Sequence, residues 1–183
     1  QKELQTLGND GFIIRTMKSK GNKITVIASK GENGLLYAVF NLLRNIQLYV
    51  PSSNILRTIQ LSSSPFTFDI KEVPSYKIRI LNHWDNLDGT IERGYAGHSL
   101  WKWDELPGKL SPRYKEYARA NASIGINGTV LNNVNASPEI LSNAYLQKVK
   151  ALAEVFRPYG IRVYLSVNFS SPTALGGLPT SDP

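Results

Sequence analysis

Residues 111–133 read SPRYKEYARANASIGINGTVLNN and decide the fold, because a helix signal is followed at once by an apolar strand. Ser111 can cap a helix and Pro112 fits the first helical position, so we predict a helix that runs to about residue 122. The short apolar run over residues 128–131 predicts a strand, and two asparagines follow it. This stretch therefore predicts one helix-to-strand step of an α/β sheet.

The same alternation of strand and helix continues on both sides of this stretch. Residues 77–81 predict a strand before it, residues 143–156 a helix after it, and residues 161–167 a third strand. A β-α-β-α-β order is typical of a parallel sheet covered by helices. Two closures stay open, a doubly wound sheet and a (β/α)8 barrel, and the lack of a glycine-rich nucleotide turn weakens the first. A barrel needs more strands than these, and the chain stops in a loop, so it looks cut there.

The chain before this unit predicts a small N-terminal α/β domain, with a hairpin followed by a helix and a further strand. The predicted strands cover residues 11–17, 23–28 and 57–61, and the helix covers residues 34–46 with its apolar face at Leu36, Val39, Phe40, Leu43 and Ile46. Residues 62–65, which read SSSP, break the pattern. We therefore expect two domains, residues 1–64 and residues 65–183.

Composition restricts the classes of protein that fit. Of 183 residues, 42% are hydrophobic and 19% are charged, which indicates a globular chain, and no apolar run is long enough to span a membrane. The chain lacks cysteine, so disulfides, zinc–thiolate sites and cysteine nucleophiles are excluded. Although the net charge is +7, the basic residues are scattered, so we expect no nucleic acid and no membrane as partner. The first residues hold no apolar signal core, which leaves the compartment open.

Residues 77–107 concentrate side chains that suit a sugar, since they hold all three tryptophans and both histidines among amides and carboxylates. Parallel α/β folds bind ligands beyond the carboxyl ends of their strands, and all three predicted strands end in asparagine-rich segments. These segments supply Asn82, His83, Trp84, Asp85 and Asn86, then Asn132, Asn133, Val134 and Asn135, then Asn168 and Ser170. Because an amide both donates and accepts hydrogen bonds, the pattern favours a polyol site over the plain preference of asparagine for turns.

Three carboxylates lie within reach of such a site, Asp85, Asp88 and Glu92. Glycoside hydrolysis needs two carboxyl groups on opposite sides of the bond, although each of these three has a structural alternative in its own turn. His83 and His98 could be drawn with Asp85 as metal ligands, but their spacing matches no common metal motif. A serine triad is equally unsupported, because the chain has no G-x-S-x-G elbow.

Long motifs in this chain resemble the α-glucuronidases of glycoside hydrolase family 67. They span residues 81–97, beginning LNHWDNLDG, and residues 117–128, 130–136 and 156–161. Residues 34–44 look like the end of the family's N-terminal α/β domain. The resemblance implies that a small hairpin-plus-helix domain precedes the first three strands of a (β/α)8 TIM barrel.

The resemblance also implies hydrolysis of the α-1,2 bond that joins (4-O-methyl)glucuronic acid to xylose in xylo-oligosaccharides. It implies an inverting enzyme without cofactor or metal, in which one acid protonates the leaving oxygen and a carboxylate base activates water. In the family those carboxylates lie on later strands, so no catalytic residue is assigned to this chain. Asp85, Asp88 and Glu92 are therefore reassigned to structural roles, and the chain alone is expected to be inactive.

The resemblance places Trp84 and Val134 as walls of the sugar pocket, and position alone adds Asn82, Asn133 and Asn135 as substrate contacts. The implied partner is a glucuronic-acid-substituted xylo-oligosaccharide, and a homodimer of the full-length protein is compatible with the resemblance. The alternative from another class is a non-catalytic carbohydrate-binding module that uses Trp84 and the asparagine-rich strand exits.

Overall fold

The structure, a computed structural model, describes residues 2–49 and 67–177. These residues form a mixed α/β fold with two three-stranded sheets. They separate into two units, one holding residues up to 77 together with 123–125, and the other holding residues 78–122 and those from 126 onward. Within the described ranges, no helix has both the length and the apolarity that a membrane crossing requires.

The first unit is an antiparallel sheet with one long helix. Its elements are α1 (Lys2–Gln5), β1 (Phe12–Ser19), β2 (Asn22–Ser29), α2 (Glu32–Tyr49) and β3 (Asp69–Glu72). The strand order is β2-β1-β3, and Ile14 on the central strand pairs with Ile27 on one side and Ile70 on the other. The predicted hairpin is confirmed, and Lys20 and Gly21 close it with φ of 47° and 83°.

The buried face of α2 agrees only in part with the predicted one. Of the predicted stripe, Ile46 is buried, Leu36 and Phe40 are half-buried, and Val39 and Leu43 are exposed. Tyr37 and Ala38, which were not predicted, are buried. The cause is a close approach at Gly34, where an added Cβ would lie 2.0 Å from the Ser29 hydroxyl oxygen and 2.5 Å from the Gly11 carbonyl oxygen. Because Gly34 must face the strands, the residues one turn further along on the same side become the core.

The second unit is a parallel sheet covered by helices on one face. Its elements are β4 (Ile80–Asn82), α3 (Pro112–Ser123), β5 (Gly128–Val130), α4 (Asn143–Phe156), β6 (Arg162–Tyr164) and α5 (Ser171–Gly176), with short 3-10 turns at Pro138–Leu141 and Arg157–Tyr159. The order is β4-β5-β6, and both pairs of neighbouring strands are parallel. The predicted β-α-β-α-β order is therefore confirmed.

An aromatic core fills the helix-covered side of this sheet. Thr129 and Leu131 are fully buried there, and Trp101, Tyr114 and Phe156 are among the largest buried side chains. Rings in such a cluster add specific edge and tilted contacts to their burial. This core fixes the positions at which the strands end.

The opposite face of the sheet is less covered. Ile80, Val130 and Tyr164 on that face are only partly buried. Gly128 lets the Tyr164 ring lie across the sheet, because an added Cβ would meet that ring at 2.9 Å and Ile80 at 3.1 Å. Closure of the strands into a (β/α)8 barrel stays a prediction.

Element bounds follow the predictions closely for helices and less closely for strands. Helix α4 has the predicted bounds, and α3 ends one residue beyond the predicted end. The strands predicted over residues 77–81 and 161–167 are shorter, at Ile80–Asn82 and Arg162–Tyr164, because strand ends depend on pairing partners. Strand β3 was not predicted, whereas the strand predicted over residues 57–61 and the boundary near residue 64 lie outside the described residues.

Candidate functional site at the carboxyl ends of the parallel strands

The carboxyl ends of β4, β5 and β6 lie at one edge of the parallel sheet. Asn82 pairs with Val130, and Val130 pairs with Tyr164, at the last register position of each strand. We call the segments that follow, residues 82–86, 131–135 and 165–170, the rim. It is the edge at which parallel α/β folds hold their ligands.

Trp84 stands on the rim with its backbone held on both sides. The N–H of His83 donates to the carbonyl of Val130 at 3.1 Å, and the N–H of Asn133 donates to the carbonyl of Asp85 at 2.8 Å. These two bonds join the exit of β4 to the exit of β5. The Trp84 side chain is 47% exposed, so it is not part of the packed core. A fixed backbone beneath an exposed indole suits contact with a flat apolar ligand surface.

The five predicted binding residues all lie on the rim. Val134 is 53% exposed, and Trp84, Asn82 and Asn135 are also exposed, whereas Asn133 is only 5% exposed. The rim therefore brings all five to adjacent strand exits and presents four of them to solvent. Their role as substrate contacts stays a prediction.

Several rim asparagines hold the backbone itself. The side-chain oxygen of Asn133 accepts from the N–H of Asn135 at 2.9 Å, and that of Asn168 accepts from the N–H of Ser170 at 2.9 Å. Both are turns in which the amide caps its own loop. Turn formation thus accounts for part of the asparagine enrichment that suggested a polyol site.

Asn132 joins two neighbouring strand exits. Its side-chain oxygen accepts from the N–H of Ser166 at 3.0 Å, and its amide nitrogen donates to the carbonyl of Ser166 at 2.9 Å. Asn132 is fully buried. It therefore replaces a backbone pairing between β5 and β6 at the point where the ladder ends.

The three carboxylates first considered for chemistry have structural partners. Asp85 is fully buried, and it accepts a hydrogen bond from the Ser99 hydroxyl. The Thr90 hydroxyl and then the Thr90 N–H donate to Asp88, which lowers the pKa of that carboxyl below its ordinary value. Partial desolvation, then the charge of the Glu92 carboxylate and its side-chain hydrogen bond with Tyr95, raise the pKa of the Tyr95 phenol above its ordinary value. These contacts agree with structural roles.

A polar chain runs beneath Trp84 into the core. Nε2 of His83 lies 2.8 Å from the Tyr117 hydroxyl, which lies 2.9 Å from the Thr129 hydroxyl. On its other side, Nδ1 of His83 lies 3.6 Å from a carboxylate oxygen of Asp85. Burial raises the pKa of Tyr117 above the ordinary tyrosine value. Both neighbours of Trp84 are therefore anchored inward.

The other two tryptophans are core residues. Trp101 is buried, and its Nε1–H donates to the Leu131 carbonyl at 3.0 Å. Its ring lies 5.1 Å from the His83 ring and 5.8 Å from the Phe156 ring, centroid to centroid. Trp103 is also buried and contacts Tyr145 edge to face at 5.8 Å. The long loop is thereby packed onto the core.

An open cavity of about 440 Å³ lies between the loops after β4 and β5, and it is lined by residues 86–88, residues 135–137, Glu139 and Tyr145. Of the five predicted residues, only Asn135 lines it. Sequence reasoning missed Ser137, Glu139 and Tyr145, because nothing in their spacing separates them from an ordinary turn and a helix face. Among the described residues, no group of three His, Asp or Glu side chains is placed to hold a metal ion.

These features describe an α/β protein with a candidate site at the carboxyl ends of its parallel strands, and two family models match the chain. The model of the glycosyl hydrolase family 67 N-terminus matches residues 1–42, and that of the glycosyl hydrolase family 67 middle domain matches residues 58–183. The chain belongs to glycosyl hydrolase family 67.

Curated relatives carry the same family's activity in their names. The chain is 38% identical over 184 residues to the probable alpha-glucuronidase A of Aspergillus terreus, covering 99% of this chain and 19% of that protein. It is 39% identical over 181 residues to the probable alpha-glucuronidase A of Aspergillus oryzae, covering 99% and 20%. It is 38% identical over 180 residues to the alpha-glucuronidase A of Emericella nidulans, covering 96% and 19%. The chain thus spans about a fifth of the length of these relatives.

Proposed function

We propose that the chain is part of an inverting α-glucuronidase that hydrolyses the α-1,2 bond between (4-O-methyl)glucuronic acid and xylose in xylo-oligosaccharides. In this proposal Trp84 and Val134 form walls of the sugar pocket, and Asn82, Asn133 and Asn135 contribute polar contacts. The catalytic carboxylates belong to strands beyond residue 183. The observation that carries the proposal is the family-67 match, joined to the exposed indole of Trp84 at the predicted strand exit.

The division into domains is part of the same proposal. The proposed division gives residues 1–64 to the end of an N-terminal α/β domain and residues 65–183 to the first β-α-β-α-β portion of a (β/α)8 barrel, with β3 of the second range completing the sheet of the first. The parallel order of β4, β5 and β6 supports this, and so does the partly exposed face that carries Val130 and Tyr164. In a closed barrel that face points inward, where the remaining strands cover it.

In an inverting reaction the rim holds the uronic ring in place. One carboxylic acid protonates the leaving xylose oxygen, and a carboxylate activates water on the opposite face of the uronic ring. Such a reaction needs the uronic ring held in one orientation between the two groups. The Trp84 indole and the Val134 side chain supply apolar surface for that ring and carry no charge that would compete with the chemistry.

The proposal is tested by assaying the full-length protein on a xylo-oligosaccharide that bears 4-O-methylglucuronic acid. Proton NMR during the first turnovers should show the β-anomer of the uronic acid, because inversion changes the α-linkage to a β-hydroxyl. Release of the α-anomer would exclude inversion, and no release at all would exclude the activity. Residues 1–183 alone should release no uronic acid under the same conditions.

A Trp84→Ala variant tests the pocket wall separately. Loss of an apolar wall that contacts the ring should lower kcat/KM by about 10- to 100-fold, from about 1.5–3 kcal/mol of lost burial. A Tyr95→Ala variant, which removes another exposed aromatic ring from the same loop, is the matched control and should leave kcat/KM unchanged. Equal effects of the two substitutions would contradict the role of Trp84.

A further inference from the structure

Asp85 is a buried carboxylate that the proposed reaction does not use. It is 1% exposed, and among the described residues two side chains lie against its carboxylate, those of Ser99 and His83. The Ser99 hydroxyl donates to Oδ2, and Nδ1 of His83 lies 3.6 Å from Oδ1. A charge taken out of water is costly unless its neighbours compensate it. Asp85 therefore depends on how both neighbours place their protons.

The hydrogen bond from Ser99 has a fixed direction. The Ser99 hydroxyl oxygen accepts from the N–H of Trp101 at 3.0 Å, so its own proton is left to donate, and Oδ2 of Asp85 receives it. The backbone of Asp85 is held as well, because its carbonyl accepts from the N–H of Asn133 at 2.8 Å. The carboxylate is thus held in place with Oδ1 facing His83.

The far end of the polar chain fixes the direction of the other hydrogen bonds. Thr129 is fully buried, and within the described ranges its hydroxyl has one hydrogen-bond partner, the Tyr117 hydroxyl at 2.9 Å. Because a buried hydroxyl proton needs an acceptor, Thr129 donates to Tyr117. The Tyr117 proton then donates to Nε2 of His83, 2.8 Å away. The reverse direction would leave the Thr129 proton buried without an acceptor.

Both ends of the chain require the same form of His83. Since Nε2 accepts from Tyr117, the imidazole carries its single proton on Nδ1. That proton faces Oδ1 of Asp85, and at 3.6 Å between the heavy atoms the contact is an electrostatic attraction rather than a hydrogen bond. A bare Nδ1 would instead place its lone pair against a carboxylate oxygen. The rings of Trp101 and Tyr117 hold the imidazole in this orientation, at 5.1 Å and 5.4 Å between centroids.

We propose that Asp85 is a positioning residue for Trp84, because its carboxylate keeps the proton of His83 on Nδ1 and so sets the direction of every hydrogen bond from His83 to Thr129. His83 and Asp85 flank Trp84 in the chain, and their side chains contact the core while the indole is exposed. Holding both neighbours fixes the backbone of Trp84 and hence the direction of its indole. The inference rests on the proposed function for the role of Trp84 as a wall of the sugar pocket.

The form of His83 is measured first, by 15N NMR of the unliganded full-length protein labelled at the histidine ring nitrogens. The His83 signals are assigned by their loss in a His83→Gln variant. At neutral pH we expect Nδ1 to carry a proton and Nε2 to carry none. A proton on Nε2, with or without one on Nδ1, would overturn the inference. This measurement needs no sugar and no altered Asp85, so it is independent of activity and of any folding defect in a variant.

An Asp85→Asn variant of the full-length protein tests the role of the carboxylate. The amide oxygen should keep the proton of Ser99, so the amide N–H groups face His83 and the His83 proton should move to Nε2. We expect KM for a xylo-oligosaccharide that bears 4-O-methylglucuronic acid to rise by about two- to tenfold, the effect of one net hydrogen bond. The kcat should stay unchanged, because a misplaced wall weakens binding of the ring equally in the ground state and the transition state.

An Asp104→Asn variant is the matched control, because Asp104 is an exposed carboxylate farther along the same loop. It should leave the His83 signals and KM unchanged. In Asp85→Asn, an unchanged KM or a His83 proton that stays on Nδ1 would overturn the inference. Absence of hydrolysis by the unaltered full-length protein would instead remove the proposed function, and the form of His83 would still be measured.

Discussion

Nε2 of His83 lies 2.8 Å from the hydroxyl oxygen of Tyr117, and this contact ties the residue before Trp84 to helix α3. The same hydroxyl lies 2.9 Å from that of Thr129 on β5. One phenol therefore joins helix α3, the exit of β4 and the middle of β5. The position of Trp84 on the rim depends on side chains beneath it that are partly or fully buried, and this dependence can be measured.

Removal of that hydroxyl should destabilise the second unit. In a Tyr117→Phe variant, His83 and Thr129 each lose a partner in a partly buried site, which should lower the free energy of unfolding by about 1–3 kcal/mol. Urea denaturation followed by tryptophan fluorescence measures this, because all three tryptophans lie in the second unit. The control is Tyr159→Phe, whose hydroxyl forms no hydrogen bond within the described residues. A similar loss in both variants would contradict the account.

The raised pKa of Tyr117 predicts that the free energy of unfolding falls at alkaline pH. Below the ordinary tyrosine pKa of 10.0 both folded and unfolded chains keep the proton, so this group adds no pH dependence there. As pH rises above that value, the unfolded chain ionises first, and the free energy of unfolding falls until pH passes the higher folded pKa. When pH is raised from below 10 to above 10, the urea midpoint of Tyr117→Phe should fall less than that of the unaltered chain. Identical slopes would show that Tyr117 does not contribute.

The two buried tryptophans provide a matched pair. Trp101 donates its indole N–H to Leu131, whereas within the described residues the buried Nε1 of Trp103 has no hydrogen-bond partner. Both Trp→Phe substitutions lose packing, but only Trp101→Phe also leaves a buried carbonyl without its partner. We expect Trp101→Phe to cost about 1 kcal/mol more than Trp103→Phe in urea denaturation. A larger loss for Trp103→Phe would contradict this assignment.

Asn132 has a buried, hydrogen-bonded side-chain amide, whereas that of Asn135 is exposed, so substitutions at the two residues should differ in their effect on stability. Asn132→Ala removes two hydrogen bonds to the Ser166 backbone and should cost about 2–4 kcal/mol in the free energy of unfolding. Asn135→Ala removes an exposed amide and should stay within about 0.5 kcal/mol of the unaltered chain. Thermal unfolding followed by circular dichroism compares them directly. A stable Asn132→Ala variant would mean that the β5 and β6 exits are held together by other contacts.

The sequence predicted what local patterns determine. Helix α4 was located because its apolar periodicity acts within a few residues. Its N-cap was not predicted: the Ser142 side chain accepts from the Tyr145 N–H at 3.3 Å. The buried face of α2 was located only in part, because the close approach of Gly34 to Ser29 is a tertiary contact. A sequence shows an asparagine but not its partner, so Asn133 in a turn and Asn135 exposed to solvent could not be told apart.

Within the site, Trp84 was nominated because the family resemblance places it as a pocket wall and because it lies two residues beyond a predicted strand. The cavity at Tyr145 was not found, because it arises from the separation of two loops that are far apart along the chain. Spacing along one helix contains no information about such a separation.

The most direct test of the central claim is 19F NMR of the full-length protein labelled with 5-fluorotryptophan and titrated with glucuronic acid. Signals are assigned by Trp→Phe substitution at residues 84, 101 and 103. The account predicts that the 19F chemical shift of Trp84 changes as glucuronic acid saturates the protein, while the shifts of the buried Trp101 and Trp103 stay the same. In Trp84→Phe the signal that responds to glucuronic acid should be absent. A Trp84 signal that remains unmoved while the protein is saturated with glucuronic acid would contradict the claim that this indole forms a wall of the uronic acid site.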